Sequence, residues 1–234
     1  MGRSMCGHCK KTLKPRDLIP LLSYVLAKGK CRYCHKKISP HYLFLEIATG
    51  ILFLLIYFKF PFFTETLSLY GFTIAWDLLL QCVLYWIYSV FFVGIFFYDL
   101  QFMEIPDVFL FPLIGLTLLG SLLFGTGIVD LAISLGIALV FFGGQIIVSK
   151  GKWLGEGDVY LAVSMAFLFG WKLFLLAIVL TYIIGSFLSI FLIIFKKVSR
   201  QMKIPFGPFM VIGSFVTIFA GEEILNWYLQ MLSF

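Results

Sequence analysis

Two sets of side chains in this sequence have the types and spacing for chemistry. The first is four thiols in two pairs, Cys6-Gly-His-Cys9 and Cys31-Arg-Tyr-Cys34, with 21 residues between the pairs. The second is two carboxylates, Asp99 and Asp158, each beside turn-forming residues: Asp99 precedes Glu104-Ile105-Pro106-Asp107, and Asp158 closes Gly155-Glu156-Gly157-Asp158. Two CxxC knuckles at this spacing suit a tetrahedral zinc site, each knuckle offering two thiolates from one tight turn. Four Cys ligands close the coordination shell, so such a metal is structural rather than catalytic. His8 and His35 are then spare surface residues. In a reducing compartment a metal is favoured over disulfides. The carboxylates suit other work. Two carboxyl groups a few ångströms apart cannot both ionise easily; one pKa rises, one falls, and the pair shares a proton. The ionised member can act as base on a water while the protonated member polarises a peptide carbonyl. Gly155 and Gly157 would let a substrate backbone approach closely.

Those groups need elements that bring them together. Of 234 residues, 61% are hydrophobic, 19% aromatic and 13% charged, and the mean hydropathy is +1.01. A soluble domain carries roughly a quarter charged residues, so most of this chain is solvated by lipid. Disorder is excluded by the same numbers. Apolar runs occupy about 43–58, 77–98, 108–124, 129–148, 158–170, 172–195 and 208–232. Only helices or closed barrels satisfy their backbone in lipid, and continuous runs without alternation mean helices. The expected fold is an all-α polytopic membrane protein with about seven transmembrane helices, residues 43–234. A small polar module, residues 1–42, carries the two CxxC pairs.

Charge sets the topology. If residues 1–42 are cytoplasmic, the inside segments 1–42, 99–107, 149–157 and 196–207 hold 16 of the 18 basic residues, Lys59 and Lys172 being the exceptions. This is a positive-inside asymmetry, with Lys196, Lys197, Arg200 and Lys203 as anchors. Asp99 and Asp158 then lie at one depth, at the inner ends of two helices. Carboxylates near lipid cost energy and mark function. The expected location is a bacterial inner membrane, multi-pass, with the N-terminus cytoplasmic. The basic N-terminal residues suit anionic lipid heads rather than nucleic acid.

Plainer roles compete at several positions. Asp158 could cap the helix starting at Val159, and Asp99 could be an interfacial carboxylate. Asp107, after Pro106, reads as an N-cap, as do Asp77 and Asp130 at outer helix ends. Glu46 should pair with a basic residue. Glu104 and Glu156 read as solvated loop residues, and Cys82 as an apolar filler.

In combination these motifs resemble a known family. Gly155-Glu156-Gly157-Asp158 matches the GxGD signature of intramembrane aspartyl proteases. The stretch from Asp99 to Ile105-Pro106-Asp107, the segment Ile204-Pro205-Phe206-Gly207-Pro208-Phe209, and the double CxxC module with Asp17 to Tyr24 between its halves are similar to type IV prepilin peptidases. The resemblance covers roughly residues 5–210, in the family's motif order. It implies that Asp99 and Asp158 are the catalytic pair, with Gly155, Gly157, Pro205, Gly207 and Pro208 as backbone beside them. It implies cleavage of a basic leader from prepilins and pseudopilins after a Gly, on the cytoplasmic side, before a long apolar helix. Many members then methylate the new N-terminus with S-adenosylmethionine. Two departures stand out. Family members usually carry a transmembrane helix before the first CxxC, whereas this sequence begins Met-Gly-Arg-Ser-Met-Cys6. Many also have Lys two residues after the GxGD Asp, where this chain has Tyr160.

Two other functional classes use the same features. A transporter or channel could couple protons through Asp99 and Asp158, but both acids lie at one face and no inverted repeat is visible. A non-catalytic scaffold docking a partner through its metal module leaves GEGD without a role.

Overall fold

A computed structural model describes residues 4–65, 72–195 and 204–232. They fall into two compact units, residues 1–58 and 59–234. Lys196, Lys197, Arg200 and Lys203 lie outside the described residues.

The first unit holds the cysteine module and one long helix. A 3-10 turn, Pro15–Asp17, and the short helix α1, Leu22–Leu26, link the two knuckles. Asp17 joins this linker to the second knuckle: it accepts the Tyr33 hydroxyl at 2.8 Å and pairs with Arg32 at 3.3 Å. Helix α2, Pro40–Lys59, follows. Among the described residues Glu46 has no basic partner; its carboxylate accepts the Leu21 N–H at 2.7 Å. Leu21 has φ 60°, so this carboxylate holds a turn that a non-glycine residue disfavours.

The second unit is a helical bundle. Its helices are α3, Trp76–Phe102; α4, Asp107–Leu123; α5, Ile128–Ala138; α6, Gly144–Ser149; α7, Glu156–Ile194; and α8, Gly207–Leu232. A π turn, Leu139–Gly143, joins α5 to α6. A pair of three-residue antiparallel strands, β1 Phe63–Glu65 and β2 Phe72–Ile74, precedes α3, with Phe63 opposite Ile74. The reading of the sequence contained no strand there. Three residues are too few to show alternation, although Phe, Thr and Ile favour the pleated state.

Among the described residues, five helical stretches are long and apolar enough to cross a membrane: 40–59, 76–102, 128–149, 156–194 and 207–232. Helix α4 adds a shorter apolar one of 17 residues. Thirty-nine residues of straight helix would run about 58 Å, nearly twice a ~30 Å hydrocarbon core. Helix α7 avoids this by breaking at Gly170, whose φ of 65° and ψ of 171° are non-helical. Its arms, residues 156–169 and 171–194, supply two of the seven apolar segments expected. The chain is therefore an all-helical membrane protein apart from the short strand pair.

The core lies along α7, which packs against α4, α5 and α8. Phe92, Leu110, Leu113, Leu161, Met165, Phe174 and Met210 are fully buried there. In lipid, helices approach through small residues and hydroxyls. Gly213 meets the Thr181 side chain, and the Ser121 hydroxyl donates to the Phe167 carbonyl across α4 and α7.

Candidate functional site

Three helix ends meet at one place in the second unit. Asp99 lies in the last turn of α3, which ends at Met103 in the left-handed conformation. Asp158 is the third residue of α7, and Gly155 is that helix's N-cap. Gly207 opens α8. Both carboxylates are buried, with 4% and 8% exposure, and they lie close enough to act on each other electrostatically. Each also accepts one backbone N–H from the start of a helix. Gly155 donates to Asp158 Oδ2 at 3.0 Å, and the Gly207 N–H donates to the Asp99 carboxylate. The first turn of a helix has N–H groups without partners and a positive dipole end, so both acids are held by groups that favour a carboxylate.

Asp158 therefore fills two roles. It closes a capping arrangement with Gly155, with α7 starting at Glu156 rather than Val159, and it lies within electrostatic reach of Asp99. Asp107 is not the N-cap expected; Pro106 takes that position and Asp107 is the first residue of α4. Proline lacks a side-chain acceptor, but its fixed φ of −70° suits a helix entry.

The glycines of the motifs differ in what surrounds them. A Cβ on Gly207 would lie 2.5 Å from Asp99 Oδ2, so this position must be bare for the carboxylate to reach the amide. A Cβ on Gly157 would lie 3.1 Å from the Ile105 Cβ, while one on Gly155 would meet only Asp158 Oδ2, at 3.7 Å. Pro208 is buried in the first turn of α8, a position that tolerates proline. Pro205 is half-buried just ahead of it.

Ile105, of the Ile105-Pro106-Asp107 motif, and two residues that the sequence did not single out, Tyr182 and Gln145, also belong to this region. Ile105 is wedged between the starts of α7 and α8, close to both Gly157 and Gly207. Tyr182 lies on the second arm of α7, near enough to Asp158 for an electrostatic effect. Asp158 and Tyr182 each stand 12 residues from Gly170, so the hairpin at that glycine returns Tyr182 to the level of Asp158. The Tyr182 hydroxyl donates to Gln145 Oε1 at 2.9 Å. No spacing rule in the sequence links these residues to the carboxylates.

The four cysteines of the first unit come together separately. The knuckles share one geometry. Lys10 donates to the Cys6 carbonyl and His35 to that of Cys31, both at 2.9 Å, with φ of 57° at Lys10 and 59° at His35. The four Sγ atoms lie within 4.8 Å of one another, and Cys6 and Cys34 are 4.0 Å apart. The amides of Cys9 and His8 hold the Cys6 thiol down to about 6. Cys34 receives the Lys36 amide, but burial and the neighbouring sulfurs win and push its thiol up to about 11. Four sulfurs this close resist joint ionisation unless a cation sits among them, so the set fits a metal ion. His8 and His35 are exposed.

Comparison with known proteins supports the same assembly of parts. The family described as Bacterial Peptidase A24 N-terminal domain matches residues 1–60, and the Type IV leader peptidase family matches residues 86–190. A protein of Aeromonas hydrophila named prepilin leader peptidase/N-methyltransferase is 29% identical, covering 97% of this chain and 74% of its own. Proteins of the same name from Bacillus subtilis and Legionella pneumophila are 28% and 27% identical over 98% of this chain, and 86% and 76% of theirs. No solved structure matches.

Proposed function

We propose that this chain, which belongs to the type IV leader peptidase family, is a membrane-embedded aspartic endopeptidase that removes basic leaders from prepilin-like and pseudopilin proteins. One observation carries this reading: Asp99 and Asp158 are buried, act on each other, and are each held by a backbone amide at a helix start. Such a pair shares one proton. Its ionised member takes a proton from a water molecule as that oxygen attacks the scissile carbonyl. The protonated member donates to the carbonyl oxygen as it becomes tetrahedral. On collapse the leaving amine takes a proton from the first carboxyl, the second carboxylate takes back a proton from the hydroxyl that becomes the new carbonyl, and the pair returns to its starting state. Pro205, Gly207 and Pro208 hold the start of α8 against Asp99, and Gly155 and Gly157 do the same for Asp158.

The substrate is a leader peptide ending in Gly, followed by a long apolar helix. The positive-inside asymmetry puts the N-terminus of this chain, and the cut, on the cytoplasmic side of a bacterial inner membrane. Residues 1–42 are a cytoplasmic module and residues 43–234 the peptidase bundle. Cys6, Cys9, Cys31 and Cys34 would hold a structural zinc ion. The names of the relatives extend the reading to methylation of the new N-terminus, for which S-adenosylmethionine would supply the methyl group.

The test is leader cleavage in detergent, with a substrate carrying a basic leader, a Gly and an apolar helix. Asp99→Asn and Asp158→Asn keep the shape of each side chain and remove its acid–base capacity. Each should lower kcat by 10³-fold or more, since positioned acid–base groups contribute about 10²–10⁴-fold apiece. Full activity in either variant would refute the dyad.

A further inference from the structure

We propose that a groove along α5 and α6, lined by Ile133, Ile137, Val140, Phe141, Gln145 and Trp153, receives the apolar helix of the substrate, and that Gln145 holds the substrate's unwound backbone beside the dyad. The proposal rests on the peptidase reading and names where its substrate lies.

The groove has a volume of about 710 Å³ and its walls are nearly all apolar. Gly136 and Gly144 also line it. A Cβ on either would meet nothing within 4 Å, so the backbone there is open to an approaching helix. Small residues are how helices come close in lipid. Gln145 breaks the apolar pattern. A side-chain amide has two N–H donors and two acceptor lone pairs. In Gln145, Oε1 accepts from Tyr182, and Nε2 donates to the Phe141 carbonyl at 3.2 Å. One donor and one acceptor remain.

That remainder matches what the substrate needs. A helix must unwind before its peptide bond can be attacked, and each freed N–H and C=O in lipid costs several kcal/mol without a partner. A side-chain amide offers one partner for each. Gln145 follows the π turn Leu139–Gly143, an irregularity often found at functional sites. One lining residue links the groove toward the dyad: Gln145 accepts from the Tyr182 hydroxyl, and Tyr182 lies within electrostatic reach of Asp158. Trp153 lies in the connection between α6 and α7, two residues before Gly155. An apolar helix placed here would present its unwound end to Asp99 and Asp158.

The experiment has two arms on the full chain in detergent or nanodiscs. In the first, photoreactive benzoylphenylalanine replaces Ile137, or Val179 on the exposed face of α7 as control. Irradiation with a leader-bearing pilin-type substrate should cross-link the substrate helix from position 137 and not from 179. In the second, Ile137→Trp should raise KM at least tenfold, whereas Val179→Trp should not, both with wild-type melting temperatures. Gln145→Leu should lower kcat/KM about tenfold, with partial recovery in Gln145→Asn, since a hydrogen bond is worth about 1 kcal/mol and more near charge. Cross-links to lipid alone, or equal labelling from both positions, would overturn the groove. So would an unchanged KM in Ile137→Trp in a chain that cleaves normally, and the peptidase reading would then survive. Cross-linking from position 137 without cleavage would instead keep the groove and sink the peptidase reading.

Discussion

Gly207→Ala is the sharpest test of how the carboxylates are held. The added methyl would sit 2.5 Å from Asp99 Oδ2, 3.3 Å from its Cγ and 3.2 Å from Ile105 Cδ1. Ordinary contacts begin near ~3.5 Å, so the carboxylate must retreat by about 1 Å. A misplacement of about 1 Å costs on the order of 10²-fold in rate. The retreat also weakens the bond from the Gly207 amide, and hydrogen bonds to charged groups are worth about 1.5–3 kcal/mol. The expected loss in kcat is therefore about 10²–10³-fold, with KM changed little. Gly155→Ala is the control. Its methyl would meet only Asp158 Oδ2, at an ordinary 3.7 Å, so kcat should fall no more than a few-fold, with about 0.5–1 kcal/mol lost from the weaker N-cap. Gly157→Ala should fall between them, because Ile105 at 3.1 Å must shift slightly. The assay is leader cleavage at saturating substrate, with thermal melts to confirm folding. The order runs against the motif, since Gly155 belongs to the GxGD signature and Gly207 does not. Equal losses at 155 and 207, or near-normal kcat in Gly207→Ala, would refute the reasoning.

Three further outcomes follow from the backbone and the cysteine module. Gly170→Ala should destabilise the bundle, because its φ and ψ lie in a region essentially restricted to glycine, at about 1–3 kcal/mol, and the methyl would strike the Asp130 carboxylate. At ~2–4 °C per kcal/mol for a chain this size, the melting temperature should fall by about 3–10 °C; no fall would mean that α7 does not turn there. Lys10→Gly and His35→Gly should each relieve about 1 kcal/mol of left-handed strain, so the metal should resist about fivefold more chelator; easier metal loss would contradict the knuckle geometry. Asp17 is held below the usual carboxylate range, first by the Tyr33 hydroxyl and then by the Lys14 amide and Arg32. Its folded value lies below its unfolded one, so its stabilisation is full above about pH 4 and is lost as pH falls through the folded value. Tyr33→Phe should move the onset of acid-induced proteolysis in residues 1–42 to higher pH, and an unchanged onset would remove Tyr33 as the cause.

The seven apolar runs were legible because lipid permits little else than helices. The expected segments 158–170 and 172–195 meet at the Gly170 turn, and composition showed that break only as a lapse in the run. What the sequence could not show was direction. The amide of Gly207 points at Asp99 because α8 begins there, and nothing local to Asp99 announces a partner 108 residues away. Gln145 and Tyr182 were missed for the same reason, since their meeting depends on the arms of α7 folding back. Asp107 and Glu46 went wrong where a local rule met a specific neighbour, Pro106 in one case and the Leu21 amide in the other.

These particulars change what the signature motifs mean. As sequence, the site is two acidic loops facing each other. As structure it is three helix ends, the last turn of α3 and the first turns of α7 and α8. Asp158 carries its own amide donor with it, three residues back at Gly155. Asp99 ends a helix, where unpaired carbonyls predominate and no free amide is at hand, so it borrows one from α8. A bare position at 207 is the condition for that loan. The dependence is testable beyond the single site: any change that lifts the start of α8, such as Pro208→Gly, should impair Asp99 while leaving the Gly155–Asp158 cap intact. Both helix starts tie to Ile105, so Ile105→Ala should loosen both carboxylates at once and lower kcat more than Pro208→Gly does. Were the two variants equal, Ile105 would be mere filling, and the coupling of the two helix starts through it would be wrong.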